Sequence, residues 1–315
     1  MISINEEAAA ILRRMAAEAE VLGVAVHTLS NGTTVIDAGI NVPGSLAAGK
    51  LFAEACLGGL GEVGFCPLSF SLPDFYLPGV SVRVEHPDIA CMASQFAGWA
   101  VQREKFFAMG SGPARALYAG EEIFERLDYR DRSEVAVLML EGRKLPGEQV
   151  AQYVAGKCGV DAASLMLAIA PTASLVGSVQ VVARVVETGL HKLTELGFDV
   201  RQVVAGFGTC PLAPVAGDDL RAIGLTNDAV LYGGQAFYAV QTSDEALEAI
   251  IDQVPSSASK DYGMPFYELF QRYGDFYQID PLLFSPAEVA LNNLSTGRTF
   301  HAGRVNTELL GQMTA

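Results

Sequence analysis

The sequence has few of the groups that bind metals or form disulfides. Its five cysteines are far apart, no C-x-x-C pair occurs, and no cysteine has a histidine at metal-ligand spacing. The four histidines are isolated, and neither H-E-x-x-H nor G-x-S-x-G is present. These absences argue against a zinc site and against zinc and serine hydrolases. The thiols are predicted to be reduced and mostly buried.

Positive charge is also scarce. The chain has 21 lysines and arginines against 36 aspartates and glutamates, a net charge of −15. Such an acidic protein is a poor partner for nucleic acid or an anionic membrane, so a small-molecule ligand is expected. The first twenty residues contain acids where an export signal has a basic region and an unbroken apolar region, which predicts a cytoplasmic protein.

Long uncharged runs are limited to one segment. Residues 162–183 contain no charged residue and have about the length of a bilayer span. Pro171, Thr172, two serines, a glycine and a glutamine interrupt the segment, and its first part is typical of a short buried strand. No membrane span is expected.

The order of the predicted elements favours an α+β fold. Ser3 and Glu6 form a capping box, which predicts a first helix to about Leu22. Asn31-Gly32 stands between two β-rich runs and predicts a hairpin. A further helix is predicted over 89–103, the stretch that holds the only tryptophan.

With 315 residues, half of them apolar, the chain is long enough for two domains. A charged stretch at 121–134 is the best candidate boundary, and beyond it strands alternate with helices. The sequence therefore predicts an N-terminal α/β domain over 1–128, completed by 256–315, and a second α/β domain over 129–255.

Two stretches match nucleotide-binding loops incompletely. "GSLAAGKL" at 44–51 fits G-x-x-x-x-G-K, but Leu51 stands where a Ser or Thr hydroxyl should bind Mg²⁺. "GLGEVG" at 59–64 fits G-x-G-x-x-G, but it follows a helical pattern, whereas a dinucleotide loop follows a strand. Nucleotide hydrolysis is therefore not favoured, and the first match is better explained by an ordinary helix N-terminus with Lys50 in solvent.

"FAMGSGPARAL" at 107–117 is a glycine-rich turn ahead of a predicted helix. Such a turn can direct backbone amides and Arg115 towards an anion. An ordinary Gly-Pro turn with Arg115 as a surface charge explains the same residues equally well. Sequence alone leaves both interpretations open.

One glycine and four polar residues recur at helical spacing in the otherwise apolar stretch "VVARVVETGLHKL" at 181–193 and just before it. With spacings of three and four, they fall on one narrow strip of a predicted helix: Gly177, Gln180, Arg184, Glu187 and His191. The strip either faces a cleft, where Glu187 could take a proton from water beside the Arg184 guanidinium, or carries an exposed i,i+3 ion pair.

Several stretches together resemble the methenyltetrahydromethanopterin cyclohydrolase family. They follow one another in order over almost the whole chain: "HTLSNGTTVIDAGINVPGSLAAGKLFAEACLGGLG", "FFAMGSGPARAL", "GSVQVVARVVETGLHKL", "APVAGDDLRAIGLTNDAVLYGG" and "NNLSTGRTFHAGRVN". The resemblance implies a cytosolic homotrimer whose subunits have two α/β-type domains around a pocket built from separated segments. It also implies reversible hydration of the N5,N10-methenyl bridge of tetrahydromethanopterin to the N5-formyl compound, without metal or nucleotide.

The resemblance implies catalysis by Arg184 and Glu187. The methenyl carbon is already an electrophilic cation, so the reaction needs a base for water, and Glu187 suits this role while Arg184 keeps the carboxylate ionised. No cofactor is implied beyond the substrate, which is itself the one-carbon carrier. Polar residues in the glycine-rich turns are predicted to bind it: Asn41, Ser45, Ser111 and Arg115. The alternative is a non-catalytic nucleotide- or pterin-binding protein.

Overall fold

The structure is a computed structural model of the chain and describes residues 2–72, 76–274 and 278–314. In these ranges the strands form two six-stranded sheets. The strands are β1 (Ala25–Thr28), β2 (Thr34–Asp37), β3 (Gly61–Cys66), β4 (Gly79–Glu85), β5 (Trp99–Arg103), β6 (Phe106–Ser111), β7 (Ala136–Glu141), β8 (Leu165–Ala170), β9 (Val203–Pro211), β10 (Gln235–Val240), β11 (Glu288–Asn293) and β12 (Thr299–Gly303). The predicted α+β class is confirmed.

Helices of very different length connect the strands. The α-helices of the described ranges are α1 (Ile4–Ala17), α2 (Ala19–Leu22), α3 (Leu46–Cys56), α4 (Ala114–Tyr118), α5 (Ile123–Arg126), α6 (Glu148–Cys158), α7 (Leu175–Val182), α8 (Val185–Glu195), α9 (Asp219–Gly233), α10 (Asp244–Ile250), α11 (Phe266–Tyr273) and α12 (Thr307–Gly311). A π-helix covers Asp88–Gln95. Short 3₁₀ helices lie at Ala162–Ser164, Val200–Gln202, Ile251–Gln253, Ser256–Ala258, Pro281–Leu283 and Gln312–Thr314.

The chain forms two compact units. The first contains residues 1–62 and 89–180, and the second contains 63–88 and 181–315. This division differs from the predicted boundary after residue 128. Strands β6 and β7, on either side of that position, pair with each other in one sheet, and the segment 256–315 belongs to the second unit.

The sheet of the first unit has the order β1-β2-β8-β7-β6-β5. Its central strands β2, β8 and β7 are parallel, and the flanking pairs are antiparallel. Alternate side chains of β7 and β8 enter two apolar cores, one shared with α1 and α3 and the other shared with α6. Burial on both faces explains why these strands are continuous apolar runs.

The N-terminal segment confirms two local predictions. The Ser3 hydroxyl accepts a hydrogen bond from the Glu6 N–H at the start of α1, and the helical segment ends after Leu22 at Gly23, in the left-handed region with φ +65°. The one predicted helix is divided at Glu18 into α1 and α2. Strands β1 and β2 form the predicted hairpin, with Gly32 at φ +89° in its turn.

The predicted helix over 89–103 is wrong in its second half. The π-helix ends at Gln95, and the tryptophan, Trp99, begins strand β5. The hydroxyl of Ser94 donates to the Cys56 carbonyl at 2.6 Å, and the N–H of Gly112 donates to the Ser94 carbonyl at 2.7 Å. These contacts with distant residues end the helix before Gly98, a possible stop signal that the sequence interpretation passed over.

The sheet of the second unit has the order β12-β11-β10-β9-β4-β3. Strands β10 and β11 are parallel, whereas β9 pairs antiparallel with both β10 and β4. Helix α8 packs against β9 and β10. The second sheet therefore supports the helix that carries Glu187.

Two further expectations concern membranes and thiols. Among the described residues, no helix combines the length and the apolar character that crossing a bilayer requires. All five cysteines lie in the described ranges as reduced thiols, and four are buried. The prediction of mostly buried thiols is confirmed.

A buried carboxyl on α9 makes stability depend on pH. Burial raises the pKa of Asp228 to about 7, and the negative charge of Glu268 adds to this, although the Phe266 N–H donates to Asp228 at 2.8 Å. Since this pKa lies above the value of an unfolded chain, the folded state binds more protons between about pH 4 and pH 7. Stability therefore falls as the pH rises through this range.

Asp228→Asn is expected to stabilise the protein at high pH. Asparagine keeps an acceptor for the Phe266 N–H but has no charge to desolvate, so the gain at pH 8 should be up to about 4 kcal/mol and should be smaller at pH 5. Melting temperatures at both pH values test this, with the exposed Asp252→Asn as control. A gain in Tm that is equal at pH 5 and pH 8 would contradict the assignment.

Candidate active site

The segment that carries Arg184 and Glu187 is two helices and not the one predicted helix. Helix α7 ends at Val182, and Arg184, with φ −83° and ψ 5°, is the N-cap residue of α8. The N–H of Arg184 bonds the Val181 carbonyl, three residues back, at 3.0 Å, which tightens the turn and interrupts the helical ladder.

This break also divides the predicted polar strip. Gly177 and Gln180 belong to the first unit, whereas Arg184, Glu187 and His191 belong to the second. Within the second unit, Arg184 forms an ion pair with Glu187 near the start of α8, and Nε2 of His191 lies 3.8 Å from Oε1 of Glu195 near its end. The prediction of one continuous strip is therefore wrong, although the spacing within α8 is confirmed.

Arg184 and Glu187 form an ion pair that is mostly shielded from water. Nη1 of Arg184 lies 3.8 Å from Oε2 of Glu187, and the two side chains are only 13% and 8% exposed. An exposed helix pair would have been more accessible, as in Arg14–Glu18, where the exposed fractions are 61% and 44%. At low exposure the attraction between the charges is stronger than in water, so Arg184 favours the ionised form of Glu187.

The position of Glu187 in α8 also favours its negative charge. Glu187 lies in the first turn, where the helix dipole and the N–H groups that lack helical partners stabilise anions. The Thr188 N–H and hydroxyl both bond the Arg184 carbonyl at 2.7 Å, so the cap is well ordered. A carboxylate held in this way can accept a proton from water while keeping its orientation.

Glycines in β9 let α8 approach the second sheet closely. A Cβ atom on Gly206 would lie 2.7 Å from Cγ1 of Val186, and one on Gly208 would lie 2.7 Å from Cγ1 of Val185. Any larger residue at either position would push the start of α8 away. The two glycines of "AGFGTC", two positions apart on one face of the strand, are the sequence signal for such an approach, and the sequence interpretation missed it.

Asn41 and its neighbours form a tight turn after β2. The Asp37 carboxylate accepts hydrogen bonds from the backbone N–H groups of Gly39, Ile40 and Asn41 and from the Asn41 side-chain amide, at 2.7 to 3.0 Å. Burial alone raises the pKa of Asp37, but these donors outweigh it, so the pKa lies below its ordinary value. The Asn41 amide N–H group thus has an internal partner.

Ser45 is the N-cap of α3. Its hydroxyl accepts from the Ala48 N–H at 3.0 Å and donates to the Leu22 carbonyl at 2.8 Å. Farther along the helix, Lys50 pairs with Glu54 at 2.5 Å and Leu51 is buried. These contacts agree with an ordinary helix N-terminus in the stretch that resembles a phosphate loop.

Ser111 and Arg115 lie in the interior of the first unit. The Ser111 hydroxyl donates to the Gln95 carbonyl at 2.7 Å. The fully buried Arg115 guanidinium donates to both Glu121 carboxylate oxygens at 2.8 and 2.7 Å and to two backbone carbonyls, those of Met92 and Ser94. The interpretation of Arg115 as a surface charge is therefore wrong.

Glu141 is the centre of a second polar cluster, which the sequence did not lead us to predict. Glu141, at the carboxyl end of β7, accepts hydrogen bonds from the Thr172 hydroxyl and from the Gln180 amide, the latter at 3.1 Å. Functional polar groups commonly lie at the carboxyl ends of parallel strands in α/β sheets. The position of Glu141 at the end of a predicted buried strand was therefore the available sequence signal. Gln180 thus contacts a residue of its own unit.

The structure brings Arg184 and Glu187 together and places the other four predicted site residues in the first unit. Asn41 and Ser45 lie in the chain after β2. Ser111 is the last residue of β6, and Arg115 lies in α4. Their role in substrate binding stays a prediction. Among the described residues, no group of three or more His, Cys, Asp or Glu side chains is placed to hold a metal ion.

Comparisons with known proteins agree over the full length. The cyclohydrolase (MCH) family profile matches residues 3–313. A methenyltetrahydromethanopterin cyclohydrolase of Methanocaldococcus jannaschii is 48% identical over 314 residues, covering 98% of this chain and 97% of the relative. Enzymes with the same name from Methanothermobacter thermautotrophicus and Methanococcoides burtonii are 46% and 41% identical, with coverage of at least 97% on both sides.

Proposed function

Because the chain belongs to the cyclohydrolase (MCH) family, a family of hydrolases that act on a cyclic C–N bond, we propose that Glu187 and Arg184 carry out the hydration of its substrate. The substrate is N5,N10-methenyltetrahydromethanopterin and the product is the N5-formyl compound, in a reversible reaction of one-carbon metabolism. The observation that supports this assignment is the shielded ion pair at the N-terminus of α8.

The first step is addition of water to the methenyl carbon. Glu187 accepts a proton from water as the water oxygen forms its bond to the cationic carbon, which gives a neutral carbinol. The carbinol O–H then loses its proton as the C=O bond forms and the bond from carbon to N10 breaks. N10 takes up a proton, so the balance is one water consumed and one proton released.

Arg184 supports both steps through its charge. The guanidinium keeps Glu187 ionised before water attacks, and it balances negative charge on the oxygen as the carbinol collapses. The methenyl carbon is already electrophilic, so we propose that the reaction uses no metal ion and no nucleotide. The cytoplasmic location also stays a prediction.

The direct test is turnover by the purified protein. Methenyl absorbance should decay when protein is added without nucleotide. The alternative, a non-catalytic nucleotide- or pterin-binding protein, predicts that the compound raises Tm by mass action while its absorbance persists. Binding without decay would reject the proposed function.

We expect the protein to be a homotrimer. On the second sheet, Phe207 and Phe237 are paired across β9 and β10 and are 46% and 42% exposed, an arrangement that is common where proteins associate. Light scattering should therefore give about 100 kDa, three times the 33.4 kDa of one chain. A mass of 33.4 kDa at micromolar concentration would reject the trimer.

A further inference from the structure

A tyrosine of the second sheet holds the backbone next to Glu187. Tyr238 lies on β10, is fully buried, and donates its hydroxyl hydrogen bond to the carbonyl of Val186 at 2.8 Å. Val186 directly precedes Glu187, so its carbonyl and the Glu187 N–H belong to one rigid peptide plane. Fixing this plane fixes the position from which the Glu187 side chain begins.

Glycine at position 189 makes this contact possible. A Cβ atom on Gly189 would lie 2.0 Å from the Tyr238 hydroxyl oxygen and 3.0 Å from its Cζ. Glycine inside a helix is less stable than alanine, so its use here has a packing reason. The hydroxyl occupies the space that an alanine side chain would need.

The hydrogen bond acts together with the glycine contacts of β9. Tyr238 is the direct partner of Gly206 in the β9–β10 ladder, and Gly206 leaves room for Val186. The two residues that precede Glu187 are therefore held by side-chain packing and by one hydrogen bond. Because the Val186 carbonyl lies inside α8 and already takes part in the helical ladder, the tyrosine bond adds orientation and is not needed to satisfy the carbonyl.

We propose that Tyr238 is a positioning residue for Glu187, an inference that rests on the proposed function. It does not touch the reacting atoms but sets the direction of the carboxylate through the Val186–Glu187 peptide. Small displacements of a catalytic group lower the rate of the chemical step more than they lower affinity. The expected effect is therefore on kcat.

Tyr238→Phe tests the hydrogen bond alone. We expect kcat to fall about tenfold with KM within about twofold of wild type, since only the orientation of the base changes. Tyr232→Phe is the matched control, because Tyr232 is also buried in the second unit and donates to a backbone carbonyl, that of Met264, at 2.6 Å. The control is expected to lower Tm but to keep kcat.

The double variant Gly189→Ala/Tyr238→Phe separates packing from positioning. The alanine methyl enters the space that the hydroxyl leaves, after a shift of a few tenths of an ångström from Cζ, so Tm should recover. The hydrogen bond remains absent, so kcat should stay low. Recovery of kcat together with Tm would overturn the proposal, because packing alone would then explain the effect.

The results also distinguish this inference from the proposed function. If the wild-type protein hydrates the methenyl compound and Tyr238→Phe has the same kcat, only the positioning role of Tyr238 is overturned. A wild-type protein that does not hydrate the methenyl compound would overturn the proposed function, and the role of Tyr238 with it.

Discussion

Glu187→Gln is expected to fold normally, to bind the methenyl substrate and to hydrate it about 10² to 10⁴ times more slowly than wild type. Glutamine keeps the shape of the side chain and can still accept a hydrogen bond, but it cannot take the proton that water loses. It also removes a negative charge that faces a cationic substrate, which places the expected loss towards the upper end of the range.

A second glutamate on the same helix provides the control. Glu195 lies at the other end of α8, 3.8 Å from His191, and has a side chain that is 42% exposed. Glu195→Gln makes the same chemical change and should leave kcat near the wild-type value. If Glu187→Gln kept more than about a tenth of wild-type kcat, a loss below about 1.4 kcal/mol, the pair would be an ordinary helix ion pair.

Arg115→Ala is expected to lower the free energy of unfolding by about 3 to 5 kcal/mol. The change removes a fully buried guanidinium, leaves the Glu121 carboxylate without its bidentate partner, and deprives two buried carbonyls of their donor. Arg115→Lys keeps the charge but has one nitrogen in place of three, so it should be intermediate. Thermal and urea unfolding measure both changes.

An exposed ion pair of the neighbouring helix gives the matched control. Arg126 pairs with Glu122 at 3.4 Å, and its side chain is 63% exposed. Arg126→Ala should change stability by less than about 1 kcal/mol. If Arg115→Ala melted like wild type and only KM rose, Arg115 would be a substrate-binding residue with little structural role.

Local chemistry explains the parts of the fold that the sequence predicts well. The Ser3 cap, the Gly23 stop and the Asn31-Gly32 hairpin each depend on a few adjacent residues whose conformational preferences agree. The buried strands β7 and β8 are short apolar runs between polar turns, a pattern typical of strands in a sheet that is covered on both faces.

Contacts between distant residues explain the parts that it does not predict. The apolar periodicity of 89–103 fits a helix, yet Ser94 bonds Cys56 and Arg115, and the chain leaves the helix before Trp99. The compact units are equally non-local, because β4 joins the second unit by pairing with β9, more than a hundred residues later. No composition change marks this pairing.

The candidate site shows the same limit. Helical spacing places Arg184 and Glu187 together, because a three-residue interval is decided within one turn. The same spacing wrongly adds Gln180, whose amide bonds Glu141, a partner 39 residues earlier. Tyr238 and its contact with Val186 had no local signal, because the two residues meet only when β10 packs against α8.

A double-mutant cycle on Arg184 and Glu187 tests the central claim most directly. The initial rate of methenyl absorbance loss is measured for wild type, Glu187→Gln, Arg184→Gln and the double variant, after circular dichroism confirms that all four are folded. If the two residues act as a unit, each single variant is severely impaired and the double variant is little slower than the slower single variant. Losses that multiply in the double variant, or single variants near wild-type rate, would contradict the account.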